Sequence, residues 1–142
     1  MRSLGFVGLG SMGGPMCHRL AQAGHAVQAF DLDPAKVELA VSAGATAAGS
    51  AAEAAASADV FLTSLPRPDH SHAVMVDGGA LAALRAGAIW VDLTTNRIEL
   101  VQDLAARAPA GVRVVDSPVT GAVDGSPHRA AHVVRRWGRR DR

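Results

Sequence analysis

The sequence is short of several residue types, and each shortage excludes a class of protein. The single cysteine, Cys17, excludes an intramolecular disulfide and favours a reducing compartment. No apolar run reaches the ~18 residues that a membrane-spanning helix needs, and no apolar leader follows Met1 and Arg2. We therefore expect a cytoplasmic protein without a membrane partner.

Charge is also scarce, and it is unevenly distributed along the chain. Charged residues make up 19% of the sequence and hydrophobic residues 49%, a balance typical of globular proteins. Residues 1–126 hold eight basic and twelve acidic residues, a net −4, whereas residues 127–142 hold six arginines and one acid, a net +5. The 142 residues fit one domain. We predict a folded domain over 1–126 and a disordered, arginine-rich tail over 127–142.

Short β-branched runs alternate with longer, alanine-rich segments over the first 116 residues. The predicted strands are Leu4–Val7, Ala26–Phe30, Thr46–Ala48, Asp59–Thr63, Ala88–Asp92 and Val112–Val115. The predicted helices are Ser11–Ala23, Pro34–Ala43, Ser50–Ala56, Asp69–Val76 and Asn96–Ala108. This alternation predicts parallel pairing through right-handed crossovers, and strands that are nearly all apolar indicate helices on both faces. The expected fold class is α/β, a doubly wound parallel sheet of the Rossmann type.

A glycine-rich turn lies between the first predicted strand and the first predicted helix. The run reads Gly8, Leu9, Gly10, Ser11, Met12, Gly13. In this context Gly8 permits the tight turn, Gly10 lets a pyrophosphate approach the backbone, and Gly13 lets the helix pack closely on the sheet. The N–H groups at the helix N terminus would then receive the phosphates. A plain glycine-rich turn is the alternative interpretation.

An acidic residue, Asp31, follows the second predicted strand. It lies near the ~20-residue offset at which an acid accepts the hydroxyl groups of the adenosine ribose. Its charge would repel a 2′-phosphate, and no arginine follows at Leu32 or Asp33, so the sequence favours NAD over NADP, which remains possible. The alternative is a turn or cap carboxylate, although Asp33 is the better cap candidate.

The glycine turn belongs to a longer stretch, Phe6–Met16, which resembles the opening of the β-hydroxyacid dehydrogenases. That family includes 3-hydroxyisobutyrate and 6-phosphogluconate dehydrogenases. Three later stretches agree with it in order and spacing: Ser64–Pro66, Val91–Thr95 and Asp116–Ala122. The resemblance covers the N-terminal, NAD-binding domain of such an enzyme. The 6-phosphogluconate branch fits less well, because it usually carries Asn-Arg where this chain has Asp31 and Leu32.

The resemblance implies roles for residues in the later stretches. The turn Leu65-Pro66 would lie along the cofactor, and Thr95 would lie near the nicotinamide ribose. Thr120, Gly121 and Ala122 would hold the carboxylate of a small hydroxy acid substrate. Thr120 replaces the family's serine and keeps its hydroxyl, whereas Ala122 replaces a glycine and adds a Cβ where close approach is needed. The alternative for this loop is a connector.

The resemblance also implies a general base that this chain does not contain. The family transfers hydride between the nicotinamide and a β-hydroxy acid, with a lysine of a helical second domain as general acid and base. The one lysine here, Lys36, falls early in the helix after the second strand, where it faces solvent or the adenosine end, so it cannot be that base. With no tyrosine, a tyrosine–lysine site is also excluded. We assign no catalytic residue and expect the chain alone to be inactive.

The spacing of the histidines does not predict a metal site. His70 and His72, two residues apart, cannot share one helix face, and His18 and His25 flank the first predicted helix. We interpret all four as structural or solvated, with His70 able to touch the outer edge of the cofactor.

The arginine-rich tail admits several interpretations. Read one nucleotide later, its codons permit a Val-Gly-Gly string like the one that precedes the family's second domain, so a frameshift near Ser126 is one hypothesis. A nucleic-acid arm is disfavoured, because Trp137 is the tail's one aromatic residue. The chain would then be a truncated dehydrogenase domain, one part of a split dehydrogenase, or a stand-alone dinucleotide-binding module. An uncovered apolar patch would favour self-association.

Overall fold

The framework of the molecule is a seven-stranded sheet. The computed structural model describes residues 2–117 and the short strand Arg135–Trp137. The strands are β1 (Ser3–Val7), β2 (Ala26–Phe30), β3 (Thr46–Ala47), β4 (Val60–Thr63), β5 (Ile89–Asp92), β6 (Arg113–Asp116) and β7 (Arg135–Trp137). They lie in the order β3-β2-β1-β4-β5-β6-β7, and every neighbouring pair except β6 and β7 is parallel. The predicted doubly wound α/β fold is confirmed.

The helices connect the parallel strands. They are α1 (Gly13–Gln22), α2 (Pro34–Ser42), α3 (Ala51–Ala56), α4 (Pro68–His72), α5 (Ala80–Ala83) and α6 (Ile98–Arg107), and a π-helical turn, Ala73–Asp77, directly follows α4. None of the helices among the described residues has the length and apolar character to cross a membrane.

Two helix starts follow from local sequence signals. Asp33 caps α2, because its Oδ1 accepts the N–H of Ala35 at 3.0 Å. Ser50 caps α3 by accepting the N–H of Glu53 at 3.1 Å, and the Glu53 carboxylate accepts the N–H of Gly49 in return. This is a capping box that reaches one residue further back than usual. The predicted Asp33 cap is confirmed, and Ser50 caps the helix that was predicted over Ser50–Ala56.

The segment between β4 and β5 differs from the prediction. The single helix expected over Asp69–Val76 is wrong, because α4 passes into a π-helical turn in which the N–H of Gly78 donates to the Ala73 carbonyl at 2.7 Å. Gly79 then adopts a left-handed backbone, φ 75°, as the N-cap residue of α5, a helix that the sequence did not predict. Glycine tolerates this conformation because it has no Cβ.

Helices cover both faces of the sheet, as the apolar strands predict. One hydrophobic cluster contains Phe6 of β1 and Cys17 of α1, and the other contains Phe61 of β4, Trp90 of β5 and Leu104 of α6. All five side chains are fully buried, and burial of this kind is the main source of stability. Burial also raises the pKa of the Cys17 thiol to about 11, so it remains neutral at physiological pH.

The sheet extends into the predicted tail. Arg135–Trp137 pairs antiparallel with β6, so the expectation of disorder does not hold for these three residues. An edge strand such as β6 presents a row of N–H and C=O groups, and the segment Arg135–Trp137 pairs with these groups. The rest of the predicted tail lies outside the described residues.

Candidate functional site

A cavity of about 710 Å³ lies at the carboxyl ends of β1, β2 and β4. The chain runs outward from β1 to β2 on one side and to β4 on the other, so the cavity lies where the strand order reverses, the usual position of a ligand in an open α/β sheet. The lining residues that the argument uses are Gly8, Gly10, Ser11, Met12, Gly13, Asp31, Leu32, Lys36, Leu65, Pro66 and His70.

Two glycines of the turn are required by packing. Gly8 has φ 97°, and a Cβ there would lie 2.0 Å from the carbonyl oxygen of Ser64. A Cβ on Gly13 would lie 2.0 Å from the carbonyl oxygen of Gly8. Any larger residue at either position would force the first helix or the turn after β4 away from the turn. These glycines would therefore be needed even in a protein that bound nothing.

Gly10 differs from its two neighbours in the motif. Among the described residues, no heavy atom lies within 4 Å of the position that a Cβ on Gly10 would take, apart from the adjoining residues of the chain. Gly10 also lines the cavity. The protein's own packing therefore does not explain a glycine here, whereas a ligand held against this backbone would.

The N terminus of α1 opens onto the same cavity. Its first residue, Gly13, and its N-cap residue, Met12, both line the cavity. In the part of the chain that the structure describes, Met12 makes no side-chain capping hydrogen bond and the first turn carries no acid. The partial positive charge of this helix end is therefore left for an anion from outside the helix.

Asp31 both lines the cavity and ties its walls together. Its Oδ2 accepts the N–H of Leu9 at 2.8 Å and its Oδ1 accepts the N–H of Asp33 at 2.8 Å. The first bond joins the end of β2 to the glycine turn, and the second makes Asp31 the turn carboxylate that the alternative interpretation expected. A carboxylate has about four acceptor sites, so two backbone donors leave room for hydroxyl groups of a ligand.

A buried polar network lies behind the turn after β4. Thr94 Oγ1 accepts the N–H of Leu65 at 2.9 Å, and the N–H of Thr94 donates to Asp92 Oδ1 at 3.1 Å. Thr63 Oγ1 donates to the same Asp92 oxygen at 3.0 Å. Burial raises the pKa of Asp92 above its usual range, and hydrogen bonds from Thr94, Thr63 and Asn96 oppose that rise.

The cavity brings together most of the residues predicted to contact a cofactor. Eight of the ten line it: Gly8, Gly10, Ser11, Met12, Gly13, Asp31, Leu65 and Pro66. Leu9 is buried and contributes its amide to Asp31, and Thr95 is exposed outside the lining. Thr94, its buried neighbour, was missed, and the lining residues Leu32 and Lys36 were not assigned. Their proximity to Asp31 at the start of α2 was the available signal.

The remaining predicted site residues are not placed. Thr120, Gly121 and Ala122 lie outside the described residues. Within residues 2–117 and 135–137, no group of three or more histidine, cysteine, aspartate or glutamate side chains could hold a metal ion. His70 lines the cavity, whereas His72 lies 3.8 Å from Asp77 on the adjoining π-helical turn.

A parallel sheet that opens at its switch point onto a glycine turn has the architecture of a dinucleotide-binding Rossmann domain. Comparison with known proteins narrows this class. The chain belongs to the family described as the NAD binding domain of 6-phosphogluconate dehydrogenase, which matches residues 3–134.

Several relatives are dehydrogenases of hydroxy acids. The chain is 38% identical over 128 residues to a 3-hydroxyisobutyrate dehydrogenase of Pseudomonas aeruginosa, covering 89% of this chain and 43% of that protein. It is 38% identical over 125 residues to 2-(hydroxymethyl)glutarate dehydrogenase of Eubacterium barkeri, covering 87% and 42%. The structure of Mycobacterium tuberculosis 3-hydroxyisobutyrate dehydrogenase with L-serine superposes with a TM-score of 0.78 at 36% identity, covering 86% and 42%. The chain thus spans about two-fifths of the length of its relatives and corresponds to their NAD-binding domain.

Proposed function

We propose that this chain binds NAD(H) in the cavity, with the pyrophosphate on the glycine turn and the adenosine ribose on Asp31. The observation that carries the proposal is the contrast within the turn. Packing explains why Gly8 and Gly13 are glycines, whereas Gly10 faces open space. A pyrophosphate needs such open space to approach the backbone closely. The N terminus of α1 adds favourable charge at the same place.

The cofactor would serve hydride transfer to or from a small hydroxy acid. The relatives named for 3-hydroxyisobutyrate and 2-(hydroxymethyl)glutarate support this substrate class. We assign the substrate carboxylate to Thr120, Gly121 and Ala122, as the resemblance implies. The general base would come from residues outside this chain, either from a longer polypeptide or from a separately encoded domain.

Lys36 bears on the choice between the two nicotinamide cofactors. It lines the cavity together with Asp31 and Leu32, so it lies at the proposed adenosine end rather than at the reacting end. Asp31 favours the ribose hydroxyls of NAD, whereas a nearby ammonium group would offset its repulsion of a 2′-phosphate. We propose NAD as the preferred cofactor and NADP as a weaker ligand of the same cavity.

Two glycine substitutions test the proposal, one expected to weaken binding and the other expected to lower stability. In Gly10→Ala the new Cβ enters the cavity and meets no protein atom, so we expect NADH affinity to fall at least about tenfold. The free energy of unfolding should stay the same or rise by up to about 1 kcal/mol, since alanine lowers the entropy of the unfolded chain. Tryptophan-to-NADH energy transfer and urea unfolding give the two quantities.

Gly13→Ala is the matched control. Its Cβ collides with the Gly8 carbonyl, so it should lower the free energy of unfolding by about 1–3 kcal/mol. A Gly10→Ala variant that binds NADH as tightly as the wild type would overturn the proposed pyrophosphate position. Wild-type protein without affinity for NADH at millimolar concentration would overturn the proposed function itself.

A further inference from the structure

Two adjacent threonines follow β5, and they occupy different environments. Thr94 is 3% exposed, whereas Thr95 is exposed. Neither is among the described residues that line the cavity. The Thr94 hydroxyl nevertheless reaches the cavity wall indirectly, because it accepts the N–H of Leu65 at 2.9 Å and Leu65 is part of that wall.

Asp92 holds Thr94 in place. The N–H of Thr94 donates to Asp92 Oδ1 at 3.1 Å, which fixes the backbone that carries the hydroxyl. Asp92 is the last residue of β5 and is fully buried. Its backbone is fixed in turn by the parallel pairing of β5 with β4 and β6. The acceptor for Leu65 is therefore supported by the rigid centre of the sheet.

The network has one possible direction. Trp90 Nε1 donates to Thr63 Oγ1 at 3.0 Å, and an indole nitrogen can only donate. The hydroxyl of Thr63 has one proton of its own, and that proton goes to Asp92 Oδ1 at 3.0 Å. An ionised carboxylate can only accept, so with Asp92 ionised these hydrogen bonds run from Trp90 through Thr63 to Asp92.

A second branch reaches another part of the cavity wall. Asn96 Nδ2 donates to Asp92 Oδ2 and also to Ser71 Oγ, the latter at 3.1 Å. Ser71 is fully buried in α4, next to His70, which lines the cavity. The same carboxylate thus supports the turn after β4 and the helix that follows it.

We propose that Thr94, held by Asp92, is a positioning residue for the cofactor. Its hydroxyl sets the position of the Leu65-Pro66 turn against the dinucleotide, which Thr94 itself does not touch. Without this acceptor, the Leu65 N–H would be left unsatisfied in a part-buried position, and the turn would rotate to find another partner. The inference rests on the proposed NAD(H) function of the cavity.

Isosteric variants of the full chain test the inference. In Thr94→Val the acceptor is lost at constant volume, and we expect NADH to bind about tenfold more weakly. Thr94→Ser keeps the hydroxyl and should restore the Kd to within about twofold of the wild type. Thr46→Val makes the same chemical change on the exposed strand β3, outside the cavity, and should leave the Kd unchanged. Each Kd is measured well below the unfolding midpoint of the variant.

Amide hydrogen exchange of ¹⁵N-labelled protein gives a second readout. The Leu65 amide should be protected without cofactor in the wild type and in Thr94→Ser, and should exchange at least about tenfold faster in Thr94→Val. Wild-type protein in which the Leu65 amide exchanges like an open peptide would overturn the inference even if Thr94→Val does not fold.

The outcomes separate the inference from the proposed function. If Thr94→Val is less stable than the wild type but binds NADH with the same Kd, Thr94 is merely structural and the inference is wrong, while the proposed function stands. If the wild type binds no NADH, the proposed function fails and takes the inference with it.

Discussion

Asp92 is a buried carboxylate whose side-chain partners in the described network are all neutral. Burial is the larger influence on its pKa and raises it, while donors from Thr94, Thr63 and Asn96 act in the opposite direction. A charged group in such a place costs stability unless it is well hydrogen-bonded. Here donors on both oxygens offset part of the cost, and they connect Asp92 to the residues that lie behind the cavity wall.

The raised pKa predicts how stability depends on pH. Because the pKa of Asp92 is higher in the folded chain than its unfolded value of 3.8, its contribution is fully present below pH 3.8 and is lost as the pH rises through the folded value. The unfolding free energy of the wild type relative to Asp92→Asn should therefore increase as the pH falls, by at most about 1.4 kcal/mol for each pH unit over which Asp92 titrates.

Urea unfolding of both proteins between pH 8 and pH 4 gives this difference. Asp92→Asn also replaces one of the two acceptor oxygens by an amide, but that loss does not depend on pH, so the prediction concerns only the change of the difference with pH. A difference that instead decreases on acidification would mean that the three donors outweigh burial and that the folded pKa is lowered.

Individual residues differ in how well the sequence predicts them. The placement of the glycine turn and Asp31 at one cavity was predictable, because it depends on their spacing from the strands that precede them. The choice between Thr94 and Thr95 was not, because the two residues have the same chemistry and are adjacent. Only the packing of β5 against its neighbours decides which side chain points inward, and it is Thr94 that is buried.

At the level of elements, caps that depend on local chemistry were predictable, and one provides a test. Asp33→Ala removes the acceptor for the Ala35 N–H at the start of α2, and we expect the free energy of unfolding to fall by about 1 kcal/mol. Asp33→Asn keeps a side-chain oxygen and should lose much less. Urea unfolding of both variants makes the comparison, and equal losses would show that charge, rather than capping, is what Asp33 contributes.

The segment between β4 and β5 was the element least accessible from sequence. Its pattern fits one continuous helix, but the chain inserts a π-helical turn that buries Met75 and brings Ala73 and Val74 to the cavity. Turns of this kind often lie at functional sites. Their position is set by packing against the rest of the fold, and residue periodicity alone contains no signal for it.

The whole molecule should respond to its cofactor as a folded unit. A ligand that binds only the native state adds about 2.7 kcal/mol at one hundred times its Kd, so saturating NADH should raise the thermal midpoint of this chain. The purified chain should not turn over 3-hydroxyisobutyrate with NAD, because Lys36 lines the cavity together with Asp31, at the proposed adenosine end rather than the proposed reacting end. Calorimetry measures the thermal midpoint, and absorbance at the nicotinamide band measures turnover. Turnover by the pure chain would show that it holds its own base.

The two outermost strands of the sheet are very short. β3 has two residues and β7 has three, so within residues 2–117 and 135–137 each flank offers few backbone groups to which a strand of another molecule could add. Copies of this chain that meet in solution would therefore associate through side chains, such as the outward-facing leucines and valine of α2 and its approach, Leu32, Leu39 and Val41, and not by extending the sheet into an amyloid-like ribbon.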